Sequence, residues 1–237
     1  MGRIIAIAAG DLASNQKINE YAVKLIEGTD KRVLFIGTAS HDAEGYIDSI
    51  TEVFSGLGCK VEALSLTTNT YAAGELQEKV FNADLIYVGG GDTIFMMNSW
   101  KECGLDELLK KVYDTDSALL MGISAGAICW FNCGCTDSEL AVIKEGFKYG
   151  WAENMLNIHE FAYCPHYEDR VLDFNGLMQE KDIAGLAMES DTAFVENNGE
   201  IYYIKSNAAS KAYYIKKENG TLKKEEIAIQ LVSGCGK

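Results

Sequence analysis

The first half of the chain alternates regularly between short β-rich runs and stretches of helical period. The runs are Arg3–Ala9, Arg32–Gly37, Lys60–Leu66, Leu85–Val88 and Ala118–Gly122. Between them the pattern predicts helices over Asn15–Glu27, Ala43–Leu57, Ala73–Asn82 and Thr93–Val112. Within Ala43–Leu57, residues Ile47, Ile50, Val53, Phe54 and Leu57 recur three or four apart, which is one face of a helix. Strands separated by crossover helices form a mostly parallel sheet, and such a sheet has to be covered on both faces. The second half changes character. Tyr167–Glu180 reads as a helix, Thr192–Ile204 as two strands around the turn Asn197-Asn198-Gly199, and a similar pair flanks Glu218-Asn219-Gly220. The predicted fold is therefore α/β and flavodoxin-like. A mostly parallel central sheet carries helices on both faces, and antiparallel hairpin strands are appended in the C-terminal part. With one proline in all and no proline- or serine-rich linker, residues 1–237 are expected to form one domain.

Composition narrows the partners. A formal charge of −14 repels nucleic acid and anionic membrane surfaces at long range, so neither is expected to bind. No run approaches the roughly 18 apolar residues of a membrane helix. The opening MGRIIAIAAGD lacks the long apolar region of a signal peptide and reads as a first strand. The seven cysteines are odd in number and lie mostly in apolar runs, which suits a reducing cytoplasm better than a disulfide framework. Cys133-Gly134-Cys135 has no histidine or further cysteine at ligand spacing, so neither metal nor cofactor is expected. The protein is expected to be a monomer or a loose homodimer.

Ligands of such sheets sit at the carboxyl ends of the strands. Three suggestive segments fall there: Thr38–Asp42, the run GGGDT at Gly89–Thr93, and GISAG at Gly122–Gly126. The last fits G-x-S-x-G, the strand-to-helix turn that lifts a serine oxygen clear of a sheet edge. Ser124 is a weak nucleophile until a base takes its proton, and the chain has three histidines. His166 follows a predicted strand in YCPHYED, at the start of a loop. His41 sits on the same rim after the second strand, and His159 lies within a strand. An acid that orients the base could lie between Ser124 and His166 (Asp137, Glu139, Glu145, Glu153 or Glu160) or beyond it, at Glu189. Glu189 follows the predicted strand Ile183–Ala187, a position that favours it. The Ala125 amide opens a helix and has no intrahelical acceptor, and Gly89–Gly91 lets backbone approach a substrate; together they could hold an oxyanion. GGGDT lacks the Walker lysine and the G-x-G-x-x-G spacing, which weakens a phosphate-cradle reading.

The runs YVGGGDTIFMM, MGISAGAICW, CPHY and GLAMES stand in this order, at about the spacing of the peptidase E (aspartyl dipeptidase) and cyanophycinase family of serine peptidases. The resemblance covers roughly Ile4 to Ile204. It implies a class I glutamine-amidotransferase-like fold with serine at the elbow, and a cytoplasmic hydrolase of short peptides. It also implies Ser124 as nucleophile, His166 as base, Glu189 as acid, and Gly91 and Ala125 as oxyanion donors. Gly90, Asp92, Arg170 and His41 are the candidate substrate contacts. The sequence departs from the family in having Asp92 where Asn is usual, and Met188-Glu189-Ser190 where peptidase E has Pro-Glu-Gly. The arginine-bearing stretch after the histidine is compressed to Tyr167–Arg170, which predicts a relaxed preference for short peptides rather than strict N-terminal aspartate.

Overall fold

The computed structural model describes residues 2–138 and 148–232. In chain order the strands are β1 (Arg3–Ile7), β2 (Arg32–Ile36), β3 (Lys60–Leu64), β4 (Leu85–Val88), β5 (Leu119–Ile123), β6 (Phe131–Thr136), β7 (Gly150–Ala152), β8 (His159–Cys164), β9 (Gly185–Met188), β10 (Thr192–Asn197), β11 (Glu200–Lys205), β12 (Ala212–Glu218), β13 (Thr221–Glu226) and β14 (Gln230–Leu231). The helices are α1 (Gln16–Leu25), α2 (Glu44–Gly56), α3 (Ala73–Phe81), α4 (Thr93–Cys103), α5 (Leu105–Thr115), α6 (Ala125–Ile128) and α7 (Tyr167–Glu180).

The first sheet runs β14-β11-β10-β1-β5-β4-β2-β3. Its five strands from the first half pair parallel, as the alternation requires, and β10 joins the β1 edge antiparallel. The hairpin around Asn198 extends this sheet, but the one around Asn219 belongs to a second, six-stranded sheet ordered β13-β12-β9-β8-β6-β7. There β6, β8 and β9 are parallel, flanked by antiparallel β7 and β12. The single helix predicted over Thr93–Val112 is two, interrupted at Gly104, whose φ of 77° ends α4.

Side-chain alternation along the strands makes the layers. Ile5, Ile7, Phe35 and Tyr87 face α1 and α2, where they meet Ile18, Ala22, Ile50 and Phe54. The alternate residues Ile4, Ala6, Leu34, Ile36 and Val88 face α3, α4, α5 and the second sheet, packing with Val80, Trp100, Leu109, Tyr163 and Leu186. The Tyr163 hydroxyl donates to the Ala6 carbonyl at 3.1 Å and so ties the two sheets. Cys133, Cys135, Ala162 and Cys164 point the other way, onto Phe174, Leu177 and Met178 of α7. No helix among the described residues is long and apolar enough to cross a membrane.

Candidate active site

Ser124 stands between β5 and α6, and its own backbone is the first notable feature. With φ 54° and ψ −113°, a non-glycine residue is held outside the ordinary regions, a conformation that costs of order 1–3 kcal/mol and clusters at functional sites. The neighbours force it. A Cβ on Gly122 would lie 2.0 Å from the Gly126 carbonyl oxygen, and one on Gly126 would lie 2.2 Å from the Val88 carbonyl oxygen. Only glycine lets β5, α6 and β4 approach this closely, which is why both glycines of GISAG are present.

His166 reaches the elbow from the other sheet. It follows β8, caps α7 and has a left-handed backbone, with φ 52°. Its Nε2 lies 3.0 Å from Ser124 Oγ. Burial pushes the imidazole below its ordinary range, and the Arg170 guanidinium pushes the same way; Glu168, Asp137 and Asp169 oppose it. Burial and Arg170 thus both favour the neutral ring.

Gly91 adopts φ 141°, and a Cβ there would meet the Ala39 carbonyl oxygen at 2.1 Å. The neighbouring amides are engaged: Gly89 with Ile36 O, Gly90 with the Tyr46 hydroxyl at 3.3 Å, and Asp92 with Ala39 O. No hydrogen bond of the described residues takes the Gly91 amide. Ala125 opens α6, where the first N–H has no intrahelical acceptor. Two amides thus remain beside Ser124, on the segments named by the sequence.

The cleft in front of these groups holds about 500 Å³ and is lined by Gly91, Asp92, Ser124, Asp137, Ser138, Tyr149, His166, Asp169 and Arg170. Arg170 is 5% exposed. It pairs with neither Glu168 nor Asp169; it donates to Cys135 O at 2.5 Å, lies 3.9 Å from Asp137 and stacks on Tyr149 at 4.6 Å. Asp92 lines the cleft, but its Oδ1 caps α4, accepting from Ile94 N and Phe95 N at 3.0 Å and from Ser138 Oγ at 2.6 Å.

Other sequence candidates lie elsewhere. Glu189 does not reach His166 by a hydrogen bond. Strand β9 pairs with β12, so Glu189 is drawn to Lys211: its amide donates to Lys211 O at 3.0 Å, and its carboxylate accepts from Lys211 N at 2.8 Å. His41 is exposed and turned onto Phe95, ring centroids 4.2 Å apart, because the turn at Thr38–Ser40 buries Asp42 instead. Gly90 touches the elbow, but its amide is held by Tyr46. His159 is buried against Glu196, 3.1 Å away. Glu153 pairs with Lys181, and Glu160 is exposed on β8. Glu139 and Glu145 lie outside the described residues. Tyr46, Ser138 and Tyr149 were not singled out from the sequence. A tyrosine on an amphipathic helix carries no signal that its hydroxyl will steady a glycine loop.

This elbow, imidazole and paired amides on a mostly parallel sheet define an acyl-transfer site. The chain belongs to peptidase family S51, whose family model matches residues 4–231, and is accordingly a serine peptidase, a hydrolase. It is similar to the uncharacterized peptidase YgaJ of Bacillus subtilis (strain 168), at 32% identity over 91% of this chain and 92% of that one. It is 25% identical to the peptidase E of a Nostoc strain over 78% and 80% of the two chains. A peptidase from an acI-B1 Actinobacterium shares the fold, with a TM-score of 0.69 at 17% identity, covering 96% of this chain and 97% of that one.

Two outcomes follow from this geometry. Gly126→Ala should lower stability by about 1–3 kcal/mol, the cost of forcing atoms into a filled site, measured by urea denaturation. The acid limb of kcat/KM should have its midpoint below the ordinary imidazole value of about 6.5. Removing a neighbouring positive charge makes protonation easier, so Arg170→Met should move that limb to higher pH.

Proposed function

We propose that the protein hydrolyses short peptides through an acyl-enzyme on Ser124. The observation that carries this reading is the 3.0 Å contact between Ser124 Oγ and His166 Nε2 at a strained elbow. His166 Nε2 takes the serine proton as Oγ attacks the scissile carbonyl carbon. The amides of Gly91 and Ala125 receive the negative charge that develops on the carbonyl oxygen. The imidazolium then gives its proton to the leaving amine as the C–N bond breaks. Water, deprotonated by the same nitrogen, attacks the ester and releases Ser124.

The imidazolium needs negative charge nearby. Glu168, Asp137 and Asp169 supply it electrostatically, whereas the Glu189 carboxylate is committed to Lys211. Among the described residues Arg170 is the one cation lining the cleft, and it already serves Cys135 and Asp137. A strict requirement for an N-terminal aspartate would need a free guanidinium fork. Relaxed selectivity among short peptides therefore fits this chain better.

Ser124→Ala should reduce kcat by several orders of magnitude and abolish fluorophosphonate labelling while the unfolding transition stays in place. Persistent hydrolysis by that variant would refute the assignment. Glu189→Gln should change kcat/KM by less than about threefold, about 0.65 kcal/mol. Asp137→Asn should lower kcat/KM and shift the acid limb to lower pH, since it removes a charge that favours the protonated ring. Wild type should prefer Asp-X over Leu-X peptides by less than about a hundredfold in kcat/KM, or about 2.7 kcal/mol.

A further inference from the structure

Ser124 sits at a crest between two hollows. The cleft of Asp137, Tyr149 and Arg170 opens on one side of the elbow. Ile123, next to Ser124, packs on the opposite face of the sheet with Ile7 and Tyr87, toward α1 and α2. Over that face, at the same carboxyl edge, lies a second chamber of about 500 Å³. It is an open hollow lined by residues 10–13, Asn15, Tyr46, Tyr87 and Ile123.

Three features give this chamber a chemistry. Two tyrosines, Tyr46 and Tyr87, and the aliphatic Leu12, Ala13 and Ile123 make it apolar and partly aromatic. Asn15 is 1% exposed, and its Nδ2 donates to Ala9 O at 3.0 Å and Asp11 O at 3.1 Å. Its Oδ1 is buried and has no hydrogen-bond partner, so a residue of the wall carries one acceptor that calls for a donor. Finally, among the described residues the lining contains an aspartate, Asp11, and no lysine or arginine, which disfavours an acidic occupant. The chamber is also joined to the chemistry: the Tyr46 hydroxyl on its wall accepts the Gly90 amide, one residue before the oxyanion donor Gly91.

We propose that this chamber is a second substrate subsite. It takes the residue across the scissile bond from the Arg170 cleft and selects an aromatic side chain that carries a hydrogen-bond donor. A peptide whose carbonyl carbon is placed at Ser124 Oγ continues in two directions, one into each hollow. In the chamber a tyrosine or tryptophan ring stacks or edges against Tyr46 and Tyr87, and its O–H or N–H donates to Asn15 Oδ1. The inference rests on the short-peptide reading of Ser124 and names a substrate class for it.

The test uses the purified full chain and two sets of short peptides, with Tyr, Phe, Leu, Gly or Asp varied on one side of the scissile bond or the other. At one of the two positions, kcat/KM should favour Tyr over Asp by at least about tenfold and Tyr over Phe by at least about threefold. Ala13→Trp places bulk from an exposed loop residue into the chamber and should bring the Tyr-to-Gly ratio at that position close to one. Turnover with no Tyr preference at either position overturns the subsite while leaving the peptidase reading intact. So does a preference undiminished in Ala13→Trp. The Tyr-to-Phe contrast is made in wild type and needs no variant to fold. If no short peptide is hydrolysed although Ser124 is labelled by a fluorophosphonate, the short-peptide reading fails and the subsite with it.

Discussion

The close approach of three backbone segments at the elbow is the contact on which the rest of the site depends. Strand β5 must end, reverse into α6 and pass beside β4 without side chains intervening, and Gly122 and Gly126 make that possible. The compression leaves Ser124 in a conformation that an ordinary turn would not impose. Its oxygen is thereby raised above the sheet edge, and the first amide of α6 is left without an acceptor. Polar chemistry at this spot is supported by close apolar packing, since Met121, Ile128 and Val88 beside it are wholly or almost wholly buried.

Much of this was legible in the sequence because it rests on local rules. Period and glycine placement identify β1 to β5 and, apart from the break at Gly104, the helices between them to within a few residues, and Tyr167–Glu180 coincides with α7. The second sheet was hidden for a physical reason. Strand β6 runs through Cys133, Gly134 and Cys135, β7 has only three residues, and both pair across gaps in sequence that no periodicity reveals. A hairpin signal such as Asn219-Gly220 identifies a turn but not the sheet its strands will join.

The site divides in the same way. Ser124, His166, Gly91 and Ala125 stand in motifs; the first three line one cleft, and Ala125 follows Ser124 at the start of α6. The carboxylates are a matter of long-range geometry. Glu189 lies at a strand end, as expected, but that strand pairs with β12, and the Glu189 carboxylate accepts from the Lys211 amide there. Arg170 is four residues past His166 on α7, yet its side chain turns inward to a carbonyl of β6, which sequence proximity to acidic neighbours could not indicate.

The serine and histidine belong to different sheets. Ser124 is anchored to β5 in the first, and His166 hangs from the end of β8 in the second. Between them the layers are held by apolar contact, by the hydrogen bond from Tyr163 to Ala6 O, and by the pair of His159 with Glu196. The oxygen-to-nitrogen gap is thus a gauge of the seam: a slip of 1 Å between the layers would break the pair while each sheet kept its own ladder intact. Local loosening of that seam, by heat, cosolvent or a distant core substitution, would silence the enzyme well before its strands melted.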